Sequence, residues 1–113
     1  MYVEIEMGGK TRKLRYDFNA IADIEEKADL GIGALFSERR AGLHSIRMLV
    51  WGGLKWQDKG LTVERAGTLI RDYLNDGGTF EGLMEKVQEG LSKSGIVKIE
   101  EVEEEGNPEA ETE

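Results

Sequence analysis

Apolar and polar residues alternate at the start of the chain. From residue 3 to residue 7 every second residue is apolar, which is typical of a strand with one buried face. Gly8 and Gly9 then allow the positive φ angles of a two-residue hairpin turn, and residues 10–16 return as a second strand. Because a hairpin alone is marginal in water, it must pack on a helix or on another copy. An uncovered hairpin edge would support self-association, through Tyr2, Val3, Ile5, Leu14 and Tyr16.

Helical spacing of apolar residues replaces the alternation in the rest of the chain. The polar residues suited to cap the N-termini of four such segments are Asp17, Ser37, Thr62 and Thr79. The first predicted helix ends at the glycines of residues 31–33, and a short connection through residues 34–36 follows it. The second predicted helix extends from its cap to about Trp56.

The apolar stripes of the other three helices predict which faces are buried. The third helix ends at residues 75–78 and the fourth at Gly95, while residues 96–99 either add a short strand to the hairpin or begin a tail. The inward residues are Phe18, Ile21, Ile24 and Ala28 in the first helix, Ala66, Leu69, Ile70, Tyr73 and Leu74 in the third, and Phe80, Leu83, Met84, Val87 and Leu91 in the fourth. The pattern predicts an α+β, mainly α fold, a β-hairpin followed by about four helices in one compact domain over residues 1–99.

The second predicted helix is apolar on two sides. Its expected core face consists of Leu43, Ile46, Val50, Gly53 and Leu54, and Trp56 near its end is also expected in the core. Met48 and Trp51 fall on roughly the opposite side, one turn apart. Arg40, His44, Arg47 and Lys55 lie around them, and Arg47 and Lys55 can lie over the Trp51 ring. This composition resembles the centre and rim of a protein interface, although a neighbouring element could equally cover this side.

Two consecutive glycines interrupt the same helix. Gly52 and Gly53 each cost roughly 1 kcal/mol of helix stability relative to alanine. Such a cost usually accompanies the close approach of another element. A break into two short helices is the alternative.

Reactive groups are scarce. The chain has no cysteine, and its one histidine, His44, has no nearby aspartate to orient it, so a solvated histidine is expected. Lys10 follows two glycines as in a phosphate-binding loop, but the pattern lacks its first glycine, and a strand is predicted after the lysine. Asp72 and Asp76 are one turn apart but form only a weak metal-site pattern. We therefore expect no catalytic site, no cofactor and no metal.

The net negative charge of the chain comes from its last 14 residues. Residues 100–113 contain eight glutamates and no base, which accounts for the net charge of −8 and leaves 15 acidic and 15 basic residues elsewhere. This segment has little apolar content and is expected to be a disordered acidic tail. A neutral body with an acidic tail argues against nucleic acid as a partner. The first residues do not resemble a signal peptide and no stretch is apolar enough for a bilayer, so a cytoplasmic protein without a membrane partner is expected.

Three segments resemble a known protein family. They are Tyr16-Asp-Phe-Asn-Ala-Ile-Ala-Asp-Ile-Glu-Glu26, Ile46-Arg-Met-Leu-Val-Trp-Gly-Gly-Leu-Lys55 and Leu61-Thr-Val-Glu-Arg-Ala-Gly67. With the N-terminal strands, the similarity to tail assembly chaperones of phages with long non-contractile tails (siphovirus-type), and of related prophages, extends over most of residues 1–95.

The resemblance implies a role without catalysis in the bacterial cytoplasm. Members of the family coat the helical tape-measure protein, keep it soluble and recruit tail-tube subunits, and they often self-associate. The resembling segments are structural, and the family has no site motif that can be transferred residue by residue. The alternatives are a small structural or connector component of the phage virion, and a host cytoplasmic adaptor that binds other proteins.

Overall fold

A β-hairpin and five helices make up the described part of the chain. The structure is a computed structural model that describes residues 2–37 and 42–96, without the side chains of Phe36 and Ser37. In chain order its elements are β1 (Val3–Met7), β2 (Lys10–Leu14), α1 (Phe18–Ala28), α2 (Ile32–Ser37), α3 (Gly42–Leu54), α4 (Val63–Asn75) and α5 (Phe80–Lys93). The fold class is α+β and mainly α, as predicted.

The hairpin forms as its sequence predicts. Strands β1 and β2 pair antiparallel, with Met7 opposite Lys10 across the turn. Gly8 and Gly9 have φ angles of +66° and +84°, as a type I′ turn requires. The alternate apolar side chains of β1 are buried, so one face of the sheet packs against the helices.

Three of the four predicted helix caps are confirmed. Asp17, Thr62 and Thr79 each accept a hydrogen bond from the backbone N–H three residues later, at 2.8, 3.0 and 2.9 Å. Each such bond satisfies a donor that the first helical turn leaves unpaired and contributes about 1 kcal/mol.

The segment between α1 and α3 differs from the prediction. Helix α1 ends at Ala28, and Asp29 adopts the left-handed conformation expected of a glycine. A connection was predicted next, but the chain forms the short helix α2, so Ser37 ends α2 and does not cap α3. The Glu25 carboxylate accepts the Ile32 backbone N–H at 2.7 Å and thereby holds the first turn of α2 on the end of α1.

Helix α3 lies at the centre of the fold. It contacts α1, α4, α5 and β2, and its buried residues join those of the hairpin and the other helices in one apolar core. Tyr16 is buried in that core, and its hydroxyl donates a hydrogen bond to the Leu49 carbonyl at 2.7 Å. Burial raises the pKa of the Tyr16 phenol above its usual range.

The two glycines of α3 allow close packing and do not break the helix. A β-carbon at position 52 would lie 2.2 Å from Ile24 Cγ1 of α1, and one at position 53 would lie 2.7 Å from the Tyr16 hydroxyl. Because α3 continues through both positions, the close-approach interpretation is confirmed and the break is excluded.

Several residues predicted to face inward are exposed instead. Phe18 and Leu43 are 71% and 73% exposed, and Leu74 and Phe80 are also exposed. All four lie in the first or last turn of their helices, where the apolar stripe extends beyond the neighbouring elements. The remaining predicted core residues of α1, α4 and α5 are buried or partly buried.

Three expectations concern residues that the structure does not describe. Arg40, residues 97–99 and the acidic tail of residues 100–113 lie outside the described residues. Ile96 is described, and it is exposed and not part of a strand.

Candidate protein-interaction groove

An outward strip of α3 remains between α1 and α4. On one side Gly52 of α3 contacts α1, and on another the Arg47 side chain lies against Gly67 of α4. From Arg47 round to Gly52, the outward residues fall within about 80° of the helix circumference. We call them the α3 strip: His44, Arg47, Trp51 and Lys55, all exposed or half-buried. Leu43 is exposed but lies outside this strip, on the side of Val50 and Leu54.

Trp51 is anchored at one end and accessible at the other. Its indole N–H donates to the Leu61 carbonyl at 3.0 Å, and the ring is half-buried against the core. The Nζ atoms of Lys27 and Lys55 each lie 5.4 Å from the ring centroid, within cation–π range. The Trp51 ring is therefore neither a sealed core residue nor a free surface residue.

Acidic side chains of α1 complete this part of the surface. Asp23 Oδ2 lies 2.6 Å from Lys55 Nζ, which makes an ion pair between α1 and α3. Asp23, Glu26 and Lys27 line a shallow cavity of about 410 Å³ together with Trp51 and Lys55. We call the cavity, the α3 strip and the adjacent edge of α4 the groove.

Met48 does not belong to the groove, and its predicted place in the interface is wrong. Its side chain is only 4% exposed. Met48 lies one turn before Gly52, on the side of α3 that α1 covers closely. A helix with neighbours on several sides buries more than one face, so the excess of apolar residues on α3 is partly structural.

Arg47 occupies the groove but not the position expected for it. Its Cδ atom would be 3.0 Å from a β-carbon at Gly67, and its Nη2 atom lies 3.4 Å from His44 Nδ1. Lys27, not Arg47, is the second cation on the Trp51 ring. Within residues 2–37 and 42–96 Arg47 forms no ion pair, and its buried Nε has no hydrogen-bond partner.

Sequence reasoning missed the α1 side of the groove. Asp23 and Glu26 fit a solvated helix face, and Lys27 gave no distinguishing signal. Their role depends on α1 packing antiparallel on α3, which brings Lys27 to Trp51 and Asp23 to Lys55. The small residue Gly52 was the one local indication that another helix approaches α3 there.

The outer edge of β2 is covered at its C-terminal end. The Lys13 backbone N–H donates to Gln57 Oε1 at 3.2 Å, and the Lys13 carbonyl accepts the Trp56 indole N–H at 3.0 Å. The Arg15 N–H donates to the Gly53 carbonyl at 2.9 Å. Trp56 was predicted to be a core residue of α3, but it lies after the helix, half-buried, with the Arg15 guanidinium 5.0 Å from its ring centroid.

This closure corrects the predicted self-association edge. The side chains of Val3, Ile5, Leu14 and Tyr16 are buried under the helices, and the strand edge to which Leu14 belongs is covered. Tyr2 is exposed beside β1. Within residues 2–37 and 42–96 the edge of β1 is the longer edge left for pairing, and there the Glu4 carbonyl accepts Lys86 Nζ at 3.1 Å.

Clusters of metal-ligating side chains and membrane-spanning helices were sought among the described residues. No three acidic or histidine side chains within residues 2–37 and 42–96 converge as a metal site would require. No helix in the same ranges combines the length and apolar character needed to cross a bilayer. His44 is exposed, and Lys10 begins a strand as predicted.

Comparison of the chain with models of protein families, with curated proteins and with solved structures found no match. The family resemblance of residues 16–26, 46–55 and 61–67 therefore stays a prediction.

Proposed function

We propose that this protein is a tail assembly chaperone of a phage or prophage. In this proposal it acts in the bacterial cytoplasm without catalysis, binds the tape-measure protein and helps to recruit tail-tube subunits. The proposal rests on the resemblance of the three segments together with one structural observation. That observation is the α3 strip, where Trp51 is half-buried beside Lys27 and Lys55.

The chemistry of the groove suits the binding of another protein. A tape-measure protein is a long helix with apolar stripes that would aggregate before the tail tube surrounds it. A chaperone needs apolar side chains to cover those stripes and a surplus of charge to keep the complex soluble. Trp51 supplies the apolar side chain of the groove, and the eight glutamates of residues 100–113 supply the surplus charge.

Self-association is part of the proposal, through the edge of β1. An antiparallel pair of β1 strands from two copies would place Glu4 or Glu6 opposite carboxylates of the other copy. Like charges opposite each other destabilise strand pairing. Copies should therefore associate weakly, and more strongly when salt screens the carboxylates.

Co-expression with the tape-measure protein of the same genome tests this function. The proposal predicts that the tape-measure protein becomes soluble and co-purifies with this chain, whereas it is insoluble when expressed alone. An insoluble tape-measure protein in both cases would contradict the proposal.

The composition of purified particles separates a chaperone from a virion component. A chaperone leaves the tail once the tube is built, so this chain should be absent from mature tails. Its presence there at stoichiometric amount would favour a structural or connector protein instead.

A further inference from the structure

We draw no further inference here: the strongest candidate, the shallow cavity between α1 and α3 that Lys27, Trp51 and Lys55 line, belongs to the groove already described, and nothing in residues 2–37 and 42–96 shows what covers it.

Discussion

The Tyr16 ring lies against the backbone of α3 at Gly53, where a β-carbon would come within 2.7 Å of both Cζ and Oη. Alanine at position 53 would favour the helix by roughly 1 kcal/mol but would displace a buried ring. We expect Gly53→Ala to lower the free energy of unfolding by roughly 1–2 kcal/mol. Urea denaturation measures this difference.

Gly67→Ala is the matched control for that substitution. Gly67 is also inside a helix, but a β-carbon there would meet only the flexible Arg47 side chain, at 3.0 Å. The free energy of unfolding should stay the same or rise, because alanine favours the helix. Similar decreases in the free energy of unfolding for the two variants would contradict the claim that the contact with Tyr16 causes the loss.

Removal of the Tyr16 hydroxyl should lower the free energy of unfolding at neutral pH. It should also reduce the decrease of that free energy at alkaline pH. Burial raises the pKa of Tyr16 in the folded chain above its unfolded value of about 10. The stabilisation that Tyr16 gives to the folded state is therefore complete below about pH 10. Above that pH the free energy of unfolding falls by up to about 1.4 kcal/mol per pH unit. Tyr16→Phe should cost about 1 kcal/mol at neutral pH and should flatten that alkaline slope. Denaturation curves from about pH 8 to 11 measure both, and equal slopes for the two chains would contradict the burial argument.

Trp51 should contribute to stability through its indole N–H as well as its ring. Trp51→Phe keeps an aromatic ring beside Lys27 and Lys55 but leaves the Leu61 carbonyl without its 3.0 Å bond. We expect a loss of about 1 kcal/mol in the free energy of unfolding, with the fold retained. Trp51→Ala should lose more, because it also removes half-buried ring area. An unfolded Trp51→Phe chain would place Trp51 in the core and not in the groove.

Local signals predicted the elements of this fold that depend on few neighbours. The turn at Gly8 and Gly9 requires only positive φ angles, and the caps at Asp17, Thr62 and Thr79 require only a nearby backbone N–H. These preferences are properties of short segments, so the sequence expresses them directly.

The errors arose where the outcome depends on a distant part of the chain. Met48 is buried because α1 approaches α3 at Gly52, and α2 begins where the Glu25 side chain accepts a backbone N–H seven residues later. Lys27 lies in the groove because α1 packs against α3, which no local pattern around Lys27 indicates. Periodicity shows that α3 has two apolar sides, but it does not show which neighbour covers each.

Self-association should strengthen with salt. Trp56 and Gln57 cover the edge of β2 at Lys13, so among the described strands pairing between copies is expected through β1, where Glu4 and Glu6 repel their counterparts. Light scattering over a concentration series should show weak association at low salt and stronger association at high salt. Glu4→Thr should strengthen it at low salt. A strict monomer at high concentration and high salt would exclude pairing through β1.

The amount of soluble tape-measure protein, co-expressed with each of three chains, tests the central claim most directly. At a temperature where all three chains are folded, the wild-type chain and Phe18→Ala should keep it soluble to the same extent, and Trp51→Ala should leave most of it in the pellet. That result would show that chaperone activity requires the Trp51 side chain in the groove. Equal solubility with all three chains would contradict the claim that the groove binds the partner, and no solubility with any of them would contradict the chaperone function itself.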